Sequence, residues 1–267
     1  MRTICTIFFA LIASAVQADP TVTDSGSKEP TKRTPSISLI IDDLGDRSLQ
    51  SYRAVRLPGP VACAILPHTP ASKGIAEEAH QRGKEVLLHL PMESEKGNKL
   101  GPGGLTLHMT KLEIEQTINR NLASIPHVTG VSNHMGSLLT RHPGYMEWVM
   151  QALVKQNEAL FIDSRTSDKS VAMNIANEYS LASARRDVFL DNLRDPGYIQ
   201  GQLNKLIKIA KENGSALGIG HPYPETMNVL EEIIPTLADQ EIRLISLREH
   251  IKYQNRGSEQ WRASLSR

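Results

Sequence analysis

The stretch from Ser36 to Gly45, SISLIIDDLG, constrains the fold more than any other part of the chain. A short apolar run that is rich in β-branched residues and closed by turn residues is typical of a strand buried on both faces of a parallel sheet. Asp42 and Asp43 stand where such a strand meets solvent, the end that carries the chemistry in parallel α/β folds. Of two adjacent carboxylates, one can hold a metal ion while the other moves a proton. A strand-to-helix turn with an aspartate N-cap is the alternative, so the later strand ends decide.

Strand-like and helix-like segments alternate along the chain. The predicted strands lie at 36–41, 61–66, 85–90, 128–132, 159–163, 187–190, 216–219 and 242–247. The predicted helices lie at 49–55, 71–81, from 110 onward, 143–156, 195–213 and 226–239. Seven or eight βα units in this order predict a distorted (β/α)7-8 barrel. A doubly wound open sheet is the alternative, but no Gly-x-Gly-x-x-Gly follows the first strand, which disfavours a dinucleotide fold.

The N-terminal residues have the pattern of a secretory signal peptide, predicted at 1–18. An apolar segment at 4–16 follows Arg2 and is short for a membrane span, and Val16-Gln17-Ala18 fits the small-residue cleavage rule. We expect a flexible polar leader at 19–35, a barrel domain at 36–252 and a polar tail at 253–267. The protein is then periplasmic or secreted, with no stable membrane span after cleavage, and an uncleaved anchor is the alternative.

Charge and cysteine content exclude two classes of function. The chain has 30 basic and 29 acidic residues without a basic stripe, so nucleic acid is not an expected partner. Of its two cysteines, Cys5 falls in the signal peptide and Cys63 falls in a predicted buried strand. We therefore expect neither an internal disulfide nor a cysteine-based zinc site.

Nearly every predicted strand ends in a side chain that can bind a metal or move a proton. These residues are Asp42, Asp43, His68, His89, Asn133, His134, Asp163, Arg165, Asp191 and His221. In a parallel barrel the strand ends converge on one face, so these groups are expected to meet. Each also has a structural alternative, because strand-end histidines often only donate hydrogen bonds and aspartates often cap turns.

Asp43, His89 and His134 together form one carboxylate and two imidazoles, a set suited to zinc or another divalent first-row metal. Three protein ligands leave an open position for water, which catalytic metal sites need. A metal there lowers the pKa of bound water and polarises a carbonyl. This chemistry suits hydrolysis of an amide or an ester, and no Gly-x-Ser-x-Gly elbow offers a serine nucleophile instead.

Four further residues complete the predicted reaction. Asp42 lies beside the metal site but outside the ligand set, so it can take the proton of the water. His221, from a distant strand, can protonate the departing group. Asp163 or Arg165 is predicted to hold the histidine or the substrate.

Taken in order, these motifs resemble the divergent polysaccharide deacetylases, exported proteins related to the metal-dependent carbohydrate deacetylases. The motifs are LIIDDLG, AILPH, EVLLHLPME, GVSNHMGS, FIDSRT, DVFLD and GIGHPYPET, spread over residues 36–250. The resemblance implies a distorted (β/α) barrel with a divalent metal, commonly zinc, and an acetylated polysaccharide or peptidoglycan-type glycan as partner. It also implies that Asp42 is the base, Asp43 a metal ligand and His221 the general acid.

Two motifs depart from the pattern of the related carbohydrate deacetylases. Their second motif is His-x-x-x-His, whereas here His89 is followed by Glu93, so the third ligand is either His134 or Glu93. Their Arg-Pro-Pro-Tyr motif is replaced by the segment Asn-His-Met-Gly that begins at Asn133. Tyr223, two residues after the late histidine, is the aromatic residue that we expect near the site.

The leading hypothesis is an exported metal-dependent hydrolase that removes N- or O-acetyl groups from a cell-envelope polysaccharide. Glu93, Asn133, Asp163, Arg165 and Tyr223 are assigned to substrate contacts or to support of the metal ligands. One alternative is a non-catalytic glycan-binding or envelope-interaction protein on the same scaffold. Another is a metal-dependent hydrolase of a different amide or ester.

Overall fold

The computed structural model describes residues 34–45, 48–156 and 160–254. The predicted signal peptide, almost all of the predicted leader and most of the predicted tail lie outside these residues. Within them, no helix is both long and apolar enough to cross a membrane.

The described residues form one parallel sheet flanked by helices. The strands are β1 (Ser36–Leu44), β2 (Ala62–Ile65), β3 (Val86–Met92), β4 (Val128–Met135), β5 (Leu160–Asp163), β6 (Ser183–Arg185), β7 (Val188–Phe189), β8 (Ser215–Gly220) and β9 (Arg243–Leu244). The helices are α1 (Ser48–Arg56), α2 (Ser72–Gln81), α3 (Lys111–Ser124), α4 (Pro143–Val154), α5 (Ala172–Glu178), α6 (Pro196–Asn213), α7 (Pro224–Ile233) and α8 (247–254). The strand order is β6-β5-β4-β3-β2-β1-β8-β7, and β9 pairs with the start of β1.

The two outer strands of this order are consecutive in the chain. Only Arg186 and Asp187 separate β6 from β7, and three residue steps span at most about 10 Å. The amide of Arg186 donates to Asp163 of β5 at 3.0 Å, and the amide of Asp187 donates to Leu217 of β8 at 2.9 Å. The sheet therefore curls until its edges meet, which confirms the predicted distorted (β/α) barrel and excludes the open sheet.

Side chains alternate between the helix layer and the barrel interior along each strand, as the two-residue period of a strand requires. The interior cluster contains only strand residues and two residues of α8, and three of its eleven members are alanines. Its members are Ile40, Ala62, Ala64, Leu87, Leu160, Ile162, Ala184, Leu217, Ile219, Leu247 and Ile251. Two residues beyond Ile40, Leu87 and Ile219 stand Asp42, His89 and His221. The alternation that fills the core thus also aims these polar groups into the mouth of the barrel.

The last helix closes the opposite end of the barrel. Glu85, directly before β3, accepts hydrogen bonds from the amides of Leu247 at 2.7 Å and Arg248 at 3.1 Å. A carboxylate at this position satisfies amides that the first turn of α8 leaves free and complements the helix dipole. Leu247 and Ile251 then fill the base of the interior.

Because of His250 in α8, we expect the protein to become less stable as the pH falls. The imidazole is fully buried, its Nδ1 has no hydrogen-bond partner among the described residues, and burial lowers its pKa to about 4. Between pH 6.5 and 4 the unfolded chain binds a proton that the folded chain does not. We therefore expect the free energy of unfolding to fall as the pH falls through this window, by about 3 kcal/mol from this group.

Urea unfolding of wild type and His250→Leu between pH 7 and pH 4.5 measures this contribution. The variant is expected to have a shallower decline than wild type. His108, which is exposed, provides the control, since His108→Leu should keep the wild-type pH dependence. Identical slopes for wild type and His250→Leu would contradict the assignment.

Two elements of the structure were not predicted from the sequence, and two predicted elements have different bounds. Helix α5 and strand β6 were not predicted, because each spans too few residues to establish a period. The predicted helix at 226–239 begins at Pro224 and ends at Ile233, where Pro235 removes an amide donor and the chain continues as short 3₁₀ turns. The predicted eighth strand is reduced to Arg243–Leu244.

Candidate metal and catalytic centre

Strand β1 does not end before the two aspartates but continues through them. Its register against β2 shifts between Ile41 and Leu44, with one extra residue on β1, which is a β-bulge. Within the bulge Asp43 adopts a φ of 58°, in the left-handed region that aspartate tolerates better than most residues. The bulge breaks the side-chain alternation, so that Asp42 and Asp43 both reach the same face of the barrel.

Asp43, His89 and His134 meet at this face. The carboxylate Oδ1 of Asp43 lies 2.8 Å from Nδ1 of His134 and 3.1 Å from Nε2 of His89, and these two nitrogens are 3.3 Å apart. Two ligands about 2.0 Å from a tetrahedral zinc ion are about 3.3 Å apart, close to all three separations. Among the described residues, the buried Oδ1 of Asp43 has no hydrogen-bond partner of good geometry. This donor set fits a divalent metal.

His134 and Glu93, the two candidates for the third metal ligand, differ in their surroundings. His134 lies beside the other two ligands, whereas the carboxylate of Glu93 accepts a hydrogen bond from the amide of Leu107 at 2.7 Å. The carbonyl of Glu93 also accepts from the amides of Leu138 and Leu139. Glu93 therefore ties together the loops around the site, and the structure brings His134 to the position that a third ligand requires.

Ser132 fixes the orientation of His89. Its hydroxyl lies 2.8 Å from Nδ1 of His89, so the imidazole is held with Nε2 towards Asp43. Partners of this kind set the tautomer of a metal-binding histidine. Ser132 stands two residues before His134 on β4, a position from which alternation predicts an inward side chain.

Asp42 lies beside the ligands without joining them. Its Oδ2 is 3.7 Å from Nε2 of His89, and its buried Oδ1 has no hydrogen-bond partner in the described chain. Burial raises the pKa of the Asp42 carboxyl above its usual range, although electrostatic interactions with His89 and His221 oppose the shift. An unpartnered carboxylate with a raised pKa is suited to accept a proton.

His221 faces the same cluster from the end of β8. Its Nε2 lies 3.8 Å from Oδ2 of Asp43, and its Nδ1 lies 2.9 Å from Oδ1 of Asp191. The other oxygen of Asp191 accepts from the His221 amide at 2.6 Å and from Thr226 Oγ1 at 2.8 Å. Burial works against the imidazolium, but the hydrogen bond and charge of Asp191 outweigh it and raise the His221 pKa to about 9. His221 therefore holds a proton at neutral pH.

Asp191 was predicted to be one of the strand-end groups, but no role in the site was assigned to it. Its signal was present in the sequence, since it ends the DVFLD motif at a strand terminus. The sequence did not show that its two oxygens would contact His221 and Thr226 in the folded protein.

Asn133 and Asp163 shape the ends of β4 and β5 and do not line the cleft. Asn133 accepts from the amide of Ser164 at 2.9 Å. Asp163 accepts from the amide of Arg165 at 2.8 Å and from Ser170 Oγ at 2.8 Å. Arg165 itself is exposed and has a φ of 48°. The predicted substrate contacts of these residues therefore stay predictions, and their observed contacts are structural.

A cleft of about 270 Å³ opens at the candidate metal ligands. Asp43, His134 and His221 line its floor, and Tyr223 lines one wall with its ring 5.5 Å from that of His221. The segment from Lys99 to Pro102, in the glycine-rich loop between β3 and α3, also lines the cleft. The long loop between β3 and α3 thus borders the candidate site.

Asn121 of α3 anchors this loop. Its side chain is fully buried, donates to the carbonyl of Gly103 at 2.8 Å and accepts from Nε2 of His68 at 2.9 Å. Gly103 has a φ of 75°, and a Cβ at this position would lie 2.2 Å from the Asn121 side chain. The side-chain amide of Asn121 therefore joins the loop to His68, which follows β2. The contact is so close that position 103 must be glycine.

We expect Asn121→Leu to destabilise the fold by about 1–3 kcal/mol, because it leaves a buried carbonyl and a histidine without partners. The loop at 94–104 should also become more susceptible to limited proteolysis. Urea unfolding and protease digestion measure the two effects. Asn119→Leu, on an exposed position of the same helix, is the control and should change neither measurement. Wild-type stability in Asn121→Leu would show that the anchor is dispensable.

Comparison with known proteins places this geometry in a family. Residues 39–251 match the family described as divergent polysaccharide deacetylase. The protein YibQ of Escherichia coli K12, itself described as uncharacterized, is 36% identical over 201 residues, covering 75% of this chain and 63% of the relative. The matched region thus spans less than two thirds of that relative's length.

Two solved structures share the fold. The uncharacterized protein ATU2773 of Agrobacterium tumefaciens C58 aligns with a TM-score of 0.77 and 25% identity, covering 80% of this chain and 88% of that one. BA3943 of Bacillus anthracis, described as a CE4 family pseudoenzyme, aligns with a TM-score of 0.50 and 12% identity, covering 82% of this chain and 66% of that one.

Proposed function

This chain belongs to the divergent polysaccharide deacetylase family, and we propose that it is an exported, metal-dependent hydrolase that removes N- or O-acetyl groups from a cell-envelope polysaccharide. One observation carries the proposal. The candidate ligands Asp43, His89 and His134 converge at the mouth of the barrel. The Asp42 carboxylate lies 3.7 Å from His89, and the His221 imidazole lies 3.8 Å from Asp43. Periplasmic or secreted localisation is part of the proposal and rests on the N-terminal sequence pattern.

The donor set favours zinc. Two imidazoles and one carboxylate form a common three-ligand zinc site, which leaves a further position for water or substrate. A zinc ion bound there supplies Lewis acidity, which polarises the acetyl carbonyl and lowers the pKa of a water molecule. The ligands come from β3 and β4, which pair directly, and from β1, which is separated from β3 only by β2, so one parallel sheet carries all three.

Asp42 and His221 divide the proton transfers. Asp42, through its unpartnered Oδ1, accepts the proton of the attacking water. His221, held in its protonated form by Asp191, donates a proton from Nε2 to the departing nitrogen or oxygen of the sugar. The products are acetate and the free amino or hydroxyl group. Both residues return to their starting states when the proton held by Asp42 passes to His221.

A non-catalytic glycan-binding protein on the same scaffold is the second candidate. A pseudoenzyme with this fold exists, so the fold alone does not make a hydrolase. Under this alternative, glycan binding would persist in Asp42→Asn and no acetate would be released by any variant. The paired placement of Asp42 and His221 around the ligands favours the hydrolase, because glycan binding requires neither group at these positions.

The test is acetate release by the zinc-loaded protein. Acetylated chitooligosaccharides and O-acetylated peptidoglycan fragments serve as substrates, and the chelator-treated protein serves as the control. We expect release that depends on added zinc. Zinc binding at one equivalent without acetate release from any acetylated glycan or small acetyl ester would overturn the proposal.

A further inference from the structure

Two exposed positive side chains lie at or beside the cleft without a negative partner in the described part of the chain: Lys99 lines the cleft, and Arg194 stacks on Tyr223, which lines it. The guanidinium carbon of Arg194 lies 3.7 Å above the centre of the Tyr223 ring. Lys99, in the glycine-rich loop between β3 and α3, lines the cleft itself. Neither forms an ion pair or a hydrogen bond with any residue in the described part of the chain. By contrast, Arg53 and Arg243 on the outer surface each pair with a glutamate.

The acidic groups of the cleft are already engaged. Asp43 contacts the two ligand imidazoles, and both oxygens of Asp191 serve His221 and Thr226. Asp195, next to Arg194 in the chain, caps α6 by accepting from the amide of Tyr198 at 2.7 Å. No described carboxylate forms an ion pair with Arg194 or Lys99, so both cations are available to a ligand at the cleft.

Arg194 is held in a geometry that suits anion binding. Stacking on Tyr223 restrains the planar guanidinium while its N–H groups, which point outward along its edge, stay available. A guanidinium presented in this way binds a carboxylate or a sulfate through two parallel hydrogen bonds. Beside it, Leu193 is 60% exposed and offers an apolar surface to the face of a sugar ring.

We propose that the acetylated glycan accepted by this cleft is anionic and that Arg194 and Lys99 bind its negative group, a refinement that rests on the proposed function. Tyr223 lies between Arg194 and His221, so the anion site is one aromatic ring away from the proposed general acid. The negative group therefore belongs to the sugar that carries the acetyl group or to its immediate neighbour. Its chemistry is a carboxylate or an ester of sulfate or phosphate.

The test compares three acetylated oligosaccharides of equal length: one neutral, one carboxylated and one sulfated. Zinc-loaded protein is assayed for kcat/KM by acetate release, and zinc-loaded Asp42→Asn is assayed for Kd by calorimetry. In wild type we expect a preference of roughly tenfold for an anionic over the neutral glycan, the effect of one charge-assisted hydrogen bond. Arg194→Gln and Lys99→Gln should each reduce this ratio. Lys208→Gln removes one positive charge from the exposed face of α6 and should preserve it.

The outcomes separate this inference from the proposed function. A preference for the carboxylated or the sulfated glycan supports the inference and identifies the group that is bound. Anionic preference in binding without any acetate release supports the inference and overturns the hydrolase. Acetate release with equal kcat/KM for neutral and anionic glycans overturns the inference alone, as does a preference that survives both substitutions. Failure to bind or hydrolyse any of the glycans overturns both.

Discussion

Replacing His134 with alanine is expected to reduce zinc affinity by more than roughly 100-fold, whereas Glu93→Gln is expected to change it by less than about threefold. Loss of a partner that only supports a ligand costs about 10–100-fold, so loss of a ligand itself should cost more. His134 Nδ1 lies 2.8 Å from the Asp43 carboxylate, but the Glu93 carboxylate is occupied by the amide of Leu107. The two variants therefore decide between the two ligands that the sequence left open.

Zinc affinity is measured by competition with a chromophoric chelator, and the zinc content is measured by mass spectrometry after dialysis. Exposed histidines also bind zinc weakly, so His127→Ala is the control for adventitious binding and should retain one tight equivalent. Circular dichroism confirms that each variant is folded. Loss of the tight equivalent in Glu93→Gln, with retention in His134→Ala, would move the third ligand to Glu93 and overturn the donor set argued above.

The convergence of the site residues was predictable because parallel strands end on the same face of a barrel. Asp42, His89 and His221 each follow an interior aliphatic residue by two positions, so alternation alone aims them inward. The sequence could not show that Asp43 would face the same way. Two consecutive strand residues normally point to opposite sides, and only the bulge with a φ of 58° brings both carboxylates to the metal site.

The sequence alone could not show whether Glu93 or His134 is the third metal ligand. Both stand near a strand end, and both carry groups that can bind zinc. The loop that follows Glu93 returns to pair with the end of β3, where the amide of Leu107 meets the carboxylate. This contact depends on how a loop of low periodicity folds, which local patterns do not determine. The longer helices and the capping box at Thr110 were predictable because their signals are local.

Asp42→Asn is expected to lower kcat by about 10²–10⁴-fold while leaving zinc binding intact. Asparagine keeps the shape of the side chain but cannot accept the proton at neutral pH. Zinc should remain because the nearest Asp42 oxygen is 3.7 Å from Nε2 of His89 and lies outside the cluster of three ligand atoms. Acetate release and zinc content are measured on the same preparation, and Asp239→Asn on the exposed surface is the control.

His221→Gln should cause a loss of similar size, but one that depends on the leaving group. A sugar amine or hydroxyl needs a proton as the bond to the acetyl carbon breaks, whereas p-nitrophenolate departs readily without one. The variant is therefore expected to be strongly impaired on acetylated glycans and much less so on p-nitrophenyl acetate, whereas Asp42→Asn should be impaired on both. Equal losses of His221→Gln on the two substrates, at unchanged zinc content, would contradict a general-acid role. His221 would then act on the ligands or on substrate position, since its Nε2 lies only 3.8 Å from the Asp43 carboxylate.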